Sequence, residues 1–494
     1  MNRVFKNSLF NILRSVVLIP VYLFVTPYTL NKLGVEQYGI WALIGVISSY
    51  QIFVELGFTN AIIRYVALCR VKDDTKGINE YLAVGLLSFT VVPAVLIIIV
   101  WFLRSSIVTG LLGIERDIQL AEELLMFSVF SIMLNLLATL FKSVLDGYQR
   151  MDVSNMLVVM QSLLMAGLNV LFLELGYGLA GMTYSLTIAS TAGLVINAVS
   201  TVWLYPEVRI NLFLFRFDRL REIFSYSINL QISSVFKGMI TPLYQVIISH
   251  FFDLKLVAYF DLAQKFIIIS NSLITSGLIS LFPAATEKYD REGADGIERL
   301  RKKSLQFIYP LTTLVYFSIF IFIPNFTDLW LGEEYRIVSN VIRFLLVANY
   351  FISLAVPAYN ILNGTGYSKD TLGVQLKSGM LELVGMLLGG WLFGFWGLCS
   401  SFSVSIICGF FLTHSYYRRR FLLSESAYAP FLSRNMLIFL LVLTLLGVVA
   451  VWIPDVVGRF TFIPVSGIYF LLGLFIIVRL RLLTVADFRS LVGR

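Results

Sequence analysis

Histidine occurs twice and cysteine three times in 494 residues, and only 14% of the chain is charged. Each scarcity excludes something. Cys69, Cys399 and Cys408 have no metal-ligand spacing, and the last two are too far apart on one predicted helix for a disulfide. They read as small apolar packing residues. His250 and His414 differ too much in position and depth to share a metal. Also missing are a Walker loop, an HExxH pair and a GxGxxG set in a strand–helix–strand unit, so no metal or cofactor is expected. Long polar stretches are lacking as well. The longest connections, 104–123, 206–224, 286–304 and 416–433, are too short for a soluble domain.

What fills the chain is apolar. Hydrophobic residues make up 58% and mean hydropathy is +0.83, which no soluble globule sustains. A bilayer core about 30 Å thick takes roughly 20 residues of helix to cross. About 14 runs of that length follow one another: 10–30, 39–68, 80–103, 124–145, 155–176, 179–205, 225–252, 257–282, 305–324, 337–362, 371–392, 394–415, 434–453 and 462–480. The second, seventh and tenth are long enough to tilt or break. The expectation is an all-α, polytopic membrane protein. The basic, then apolar opening MNRVFKNSLFNILRS has no small-residue cleavage site and reads as an uncleaved first helix.

The net charge of +8 does not point to nucleic acid, because the cations are sorted by side. With the N-terminus inside, the even-numbered connections and the termini hold about 26 Lys and Arg, against about 6 opposite. Arg70, Lys72, Arg209, Arg216, Arg301 and Arg418 are among the first group, Lys32, Arg104 and Arg336 among the second. Retention of positive charge predicts cytoplasmic N- and C-termini. Segments 212–222 and 286–304 mix apolar and basic residues as helices lying on a membrane surface do, making membrane lipids expected partners.

A weak repeat runs through the chain. Leu33-Gly-Val-Glu-Gln-Tyr38 is matched by Leu254-Lys-Leu-Val-Ala-Tyr259, and Leu145-Asp-Gly147 by Leu362-Asn-Gly364. Tyr177-Gly-Leu179 is matched by Trp396-Gly-Leu398, and Pro20 by Pro242. The implied organisation is a six-helix lobe over 1–222, a second over 223–415, and an appendage of the last two helices over 416–494. Six is even, so the repeat is parallel, with an axis along the membrane normal. Pro20 and Pro242 each remove a backbone donor inside a helix and are candidate hinges, static kinks being the alternative.

Ionisable groups inside such spans are costly and face protein or water. Glu55, Lys237 and Glu382 fall near mid-span, whereas Arg14, Arg64, Lys142 and Lys377 lie where a long stem can snorkel. Lys265 and Arg343 are also intramembrane. Asp261 precedes Lys265 by one turn, the spacing of a local ion pair. With Asn229, Gln231, Asn271, Asn349, Asn360 and Gln375, these residues suggest a wet cavity suited to an anionic ligand. Arg14, Arg64, Lys237, Lys265 and Arg343 are its candidate binding residues. Glu55, Asp261 and Glu382 are candidates for carrying H⁺ or Na⁺, or for balancing charge.

Gly34-Val-Glu-Gln-Tyr-Gly-Ile-Trp41, followed by Glu55-Leu-Gly-Phe-Thr-Asn-Ala-Ile-Ile-Arg64-Tyr, resembles the polysaccharide-unit (O-antigen, Wzx-type) flippases. These belong to the multidrug/oligosaccharidyl-lipid/polysaccharide exporter superfamily. Leu281-Phe-Pro283, Leu329-Trp-Leu-Gly332-Glu-Glu-Tyr335 and Asn363-Gly364-Thr-Gly366 extend the likeness. The resemblance implies two six-helix bundles in a bacterial inner membrane. It implies transfer of undecaprenyl-diphosphate-linked oligosaccharide to the periplasmic leaflet, for O-antigen, capsule or exopolysaccharide. A polysaccharide polymerase and a chain-length regulator become expected partners. Only Arg64, inside the matching motif, carries over as a site residue.

Rival readings are a lipid II flippase and a cation-coupled multidrug exporter, the latter disfavoured by Lys237, Lys265 and Arg343. A membrane glycosyltransferase or glycan polymerase would need a catalytic outer loop. The segment 104–123 offers Glu115, Asp117, Glu122 and Glu123 without a recognisable arrangement.

Overall fold

The computed structural model is built of helices, with no strand among the described residues. Those run from 3 to 482 except 50, 56, 116, 276–280, 422–432, 458–460 and 481. Only the backbone is described for 3–9, 228–237, 272–275, 281–288, 451–457 and scattered single positions. The helices are α1 (Arg3–Leu33), α2 (Val35–Ser49), α3 (Gln51–Glu55), α4 (Phe58–Val71), α5 (Thr75–Ser105), α6 (Ile118–Gly147), α7 (Met151–Glu174) and α8 (Gly178–Leu204). After them come α9 (Phe217–Phe251), α10 (Leu254–Thr275), α11 (Leu281–Trp330), α12 (Arg336–Gly364), α13 (Ser368–Phe421), α14 (Arg434–Val457) and α15 (Phe462–Arg479). Among the described residues nine helices are long and apolar enough to cross a membrane, and shorter apolar ones cover Val35–Ile47 and Arg434–Ala450. The molecule is a multi-pass membrane protein.

Three expected spans depart from simple rods. The second breaks into α2, α3 and α4, and the break ends at Gly57, whose φ of 70° a β-branched residue would resist. The eleventh and twelfth run on as α13, which reverses at Gly394 (φ 63°). A Cβ at Gly389 would stand 2.6 Å from the Gly397 carbonyl oxygen, so the two arms of this hairpin touch backbone to backbone. By contrast α1 and α9 continue as helix through Pro20 and Pro242.

Packing divides the chain into two compact units, Met1–Ala258 and Tyr259–Arg494. In the first, α6 is the buried hub and packs on α2, α4, α5 and α8. Lipid tails give helices no hydrophobic reason to associate, so polar contacts and close packing hold them. Asn135 Nδ2 donates to Ser190 Oγ (2.9 Å), Gln161 Nε2 donates to Asn135 Oδ1 (3.1 Å), and Ser131 and Thr187 share a hydroxyl contact of 3.0 Å. The unit extends past residue 222 because α9 lies against α2, α4 and α5. In the second unit α12 packs between α11 and α13, tied by Thr313–Tyr350 (3.0 Å), Tyr316–Ser353 (3.1 Å) and Ser403 donating to the Phe344 carbonyl (2.6 Å). There α14 and α15 cover α11 through Leu314, Phe322, Phe439 and Tyr469.

Candidate functional site

The break at Gly57 sets the geometry of the first unit's basic end, where the connections carry Arg70, Lys72, Arg150 and Arg209. The Gly57 carbonyl opens α4 by accepting the Ala61 N–H at 3.5 Å, and it also accepts a hydrogen bond from Ser227 Oγ of α9 at 3.1 Å. That bond seats α4 on α9 and brings Arg64 over Tyr226, the guanidinium carbon 4.4 Å from the ring centroid. Tyr65, 5.7 Å from the same cation, stacks on Tyr81 of α5 at 4.8 Å and 11°. Its hydroxyl donates to the Glu222 carbonyl (3.4 Å). The Tyr81 hydroxyl donates to the Glu222 carboxylate.

Next to these rings the charges cancel. Glu80, 3% exposed, receives Arg219 at 3.0 Å and Arg216 at 3.5 Å. Arg219 also reaches Glu222 at 3.2 Å. The hydrogen bond to Glu80 raises the Arg219 guanidinium further above its already high value. Two arginines thus meet two carboxylates. Arg64 is different: it is exposed, and among the described residues no carboxylate pairs with it. A guanidinium on an aromatic face, with its donors unspent, is suited to a phosphate oxyanion.

The other expected site residues are spread more widely. Arg14 is half-buried in α1, and Glu55 is half-buried where α3 ends at the break. The Lys237 side chain lies outside the described residues. Pro242 is buried in α9 while Pro20 is exposed. In the second unit Lys265 pairs with Asp261 at 2.7 Å, the local pair its spacing predicts. Arg343 turns to α11, donating Nε to the Phe320 carbonyl at 3.1 Å with its guanidinium 5.1 Å from that ring. Asn349, on another side of α12, accepts from Asn271 Nδ2 at 3.2 Å. Gln375 donates to the Tyr359 hydroxyl (2.7 Å), and Glu382 is buried in α13. Lys142 pairs with Asp146, one turn further along α6, at 2.6 Å. Lys377 donates to the Tyr416 hydroxyl at 2.6 Å. Among the described residues no three His, Cys, Asp or Glu side chains converge to hold a metal ion.

Sequence reasoning missed the aromatic partners of Arg64. Tyr65 was within the quoted motif, but Tyr226, and the Tyr81 ring on which Tyr65 stacks, come from other helices and carry no signal in one dimension. Glu80 had one, a carboxylate within the first two turns of a span.

The fold is similar to that of solved transporters of the MOP superfamily. Lipid II flippase MurJ, in its inward closed conformation, superposes with a TM-score of 0.72 at 13% identity, covering 95% of this chain and 99% of that one. An inward-facing multidrug resistance MATE family transporter of the superfamily gives 0.71 at 15% identity, covering 81% and 94%. Such identities speak to fold alone. Residues 4–288 match the model of the polysaccharide biosynthesis protein family, and the chain belongs to that family. A Shigella flexneri protein named as an O-antigen transporter is 22% identical over 426 residues, 84% of this chain and 98% of its own.

Proposed function

We propose that this protein is a flippase carrying undecaprenyl-diphosphate-linked oligosaccharide units from the cytoplasmic to the periplasmic leaflet, by alternating access, for surface polysaccharide assembly. Family membership and the S. flexneri relative support the substrate class. The physical problem is the head group. Sugars and a diphosphate do not cross hydrocarbon unaided, whereas the polyprenyl tail never has to leave it. The protein therefore supplies a charged, polar path for one end and leaves the other in lipid. It acts as a transporter rather than an enzyme, and membrane lipid is its working solvent.

The observation that carries this reading is Arg64, exposed and held on Tyr226, while Arg216 and Arg219 are matched by Glu80 and Glu222. Arg64 engages the diphosphate, and Tyr65 and Tyr226 present faces on which sugar rings can pack. Arg14 and Lys237 of the first unit, and Lys265 and Arg343 of the second, are further candidate contacts for the diphosphate, with Glu55, Asp261 and Glu382 balancing charge or coupling H⁺ or Na⁺.

The test is Arg64→Ala in the native host. Surface polysaccharide should fall at least tenfold and lipid-linked units should accumulate in the inner leaflet, with the protein inserted at normal abundance. Arg64→Lys should retain part of the activity, since charge survives but bidentate geometry does not. Normal polysaccharide display by the Ala variant would remove Arg64 from the path. Sensitivity to cationic drugs with normal polysaccharide would instead indicate a drug exporter.

A further inference from the structure

We infer that the first unit carries a binding site for an anionic glycerophospholipid of the leaflet on its basic side, separate from the path at Arg64. The site is a groove of about 470 Å³ between the start of α9, α4 and α5. Its floor is Phe58 and Phe89, both buried, with ring centroids 6.1 Å apart. Val92, Leu220 and Phe224 line it as well, and Arg221 is its one charged lining residue. The volume falls within the range of small-ligand sites, and the lining is nearly all hydrocarbon. An acyl chain fits such a lining; a sugar would find almost no hydrogen-bond partners there.

The placement of Arg221 identifies the other end of the ligand. Arg216 and Arg219, which precede it at the start of α9, are held by Glu80. Arg221 is exposed, and among the described residues it has no ion pair. From Arg221 toward Phe224, α9 leads from its basic end into the membrane, so the groove runs from the interface toward hydrocarbon. A phosphodiester at Arg221 with its chain lying over Phe58 and Phe89 matches that polarity, and the guanidinium suits two phosphate oxygens. The adjoining segment fixes the depth. Phe213 is 99% and Phe217 70% exposed, with Arg209 before them and Arg216 between them. Exposed aromatics beside cations belong at the headgroup level, where anionic lipid is attracted.

The experiment uses the full-length protein in neutral detergent and reads lipid binding by native mass spectrometry, alongside thermal unfolding. Phosphatidylglycerol should bind at least fivefold more tightly than phosphatidylcholine of the same chains and raise the unfolding temperature. Arg221→Gln should lose about fivefold of that preference, the factor one basic residue near an anionic surface contributes. Arg221→Lys should keep most of it. Arg221 is exposed and unpaired, so these variants leave packing intact. Ser88→Leu, which fills the groove, should weaken both lipids. Equal binding of the two lipids, or no change in Arg221→Gln, overturns the site. So does competition by glycerol 3-phosphate at concentrations matching phosphatidylglycerol, which would mean a headgroup contact only. Displacement by undecaprenyl phosphate at lower concentration would assign the groove to the carrier lipid and overturn the inference. None of these readouts depends on glycan export, so failure here leaves the reading of Arg64 standing.

Discussion

At the scale of single residues, intramembrane charge is managed by close partners. Asp146, 7% exposed, holds Lys142 at 2.6 Å and also accepts from Ser154 Oγ at 2.5 Å. Asp146→Ala should cost about 2 kcal/mol, because a cation and a hydroxyl both lose a charge-assisted bond. Combining it with Lys142→Met should recover most of the loss, since removing both partners leaves nothing unsatisfied. Thermal unfolding of the purified variants checks this, and a fully stable single variant would show that Lys142 reaches water by itself. Local spacing made such pairs readable: Asp261 and Lys265 are four apart and do meet. Arg64 was readable as an unusual cation in a motif. Its seat on Tyr226 was not, because the ring belongs to another helix and only the fold brings it near.

At the scale of elements, helix existence was legible almost throughout, since about 20 apolar residues between polar connections leave the backbone few alternatives. Breaks were less so. The excess length of the second span signalled an interruption, and Gly57 supplies it, while α1 and α9 run on through their prolines. A proline lacks one donor, which a helix can absorb with a bend; a positive φ ends the helix outright. The α13 hairpin offers a sharp test of close packing. Gly389→Leu would drive a side chain into the Gly397 carbonyl, 2.6 Å from where its Cβ begins, and should reduce the yield of folded protein severalfold. Gly390→Leu, whose nearest neighbour is 3.8 Å away, should be tolerated. Equal yields in fluorescence size-exclusion profiles would show that the arms are not locked together.

At the scale of the whole molecule, the sorting of cations predicts both termini in the cytoplasm. In a Cys-free background, single cysteines at Gly178 and Glu333 should react with an impermeant thiol reagent added to intact cells, and those at Gly296 and Ser426 should not. Labelling of the second pair would reverse the orientation. The proposed alternating access makes a further demand. A disulfide joining Val25 or Thr26 to Ile247 or Ile248 should stop polysaccharide export by holding one gate shut, and reduction should restore it. Full export with the bond verifiably formed would show that transport needs no separation of α1 from α9.

The covering of α11 by α14 and α15 also has a history in time. At about 5–20 residues per second, the ribosome takes roughly 7–26 s to pass from Trp330 to Phe462. Through that interval Leu314 and Phe322 wait without the completed pair of α14 and α15 beside them. In water such a wait would invite aggregation. In a bilayer the acyl chains stand in for the missing helices at little energetic cost, because hydrocarbon is as apolar as the leucine it touches. The terminal pair can therefore arrive late, displace lipid, and close the protein's last seam by fit alone.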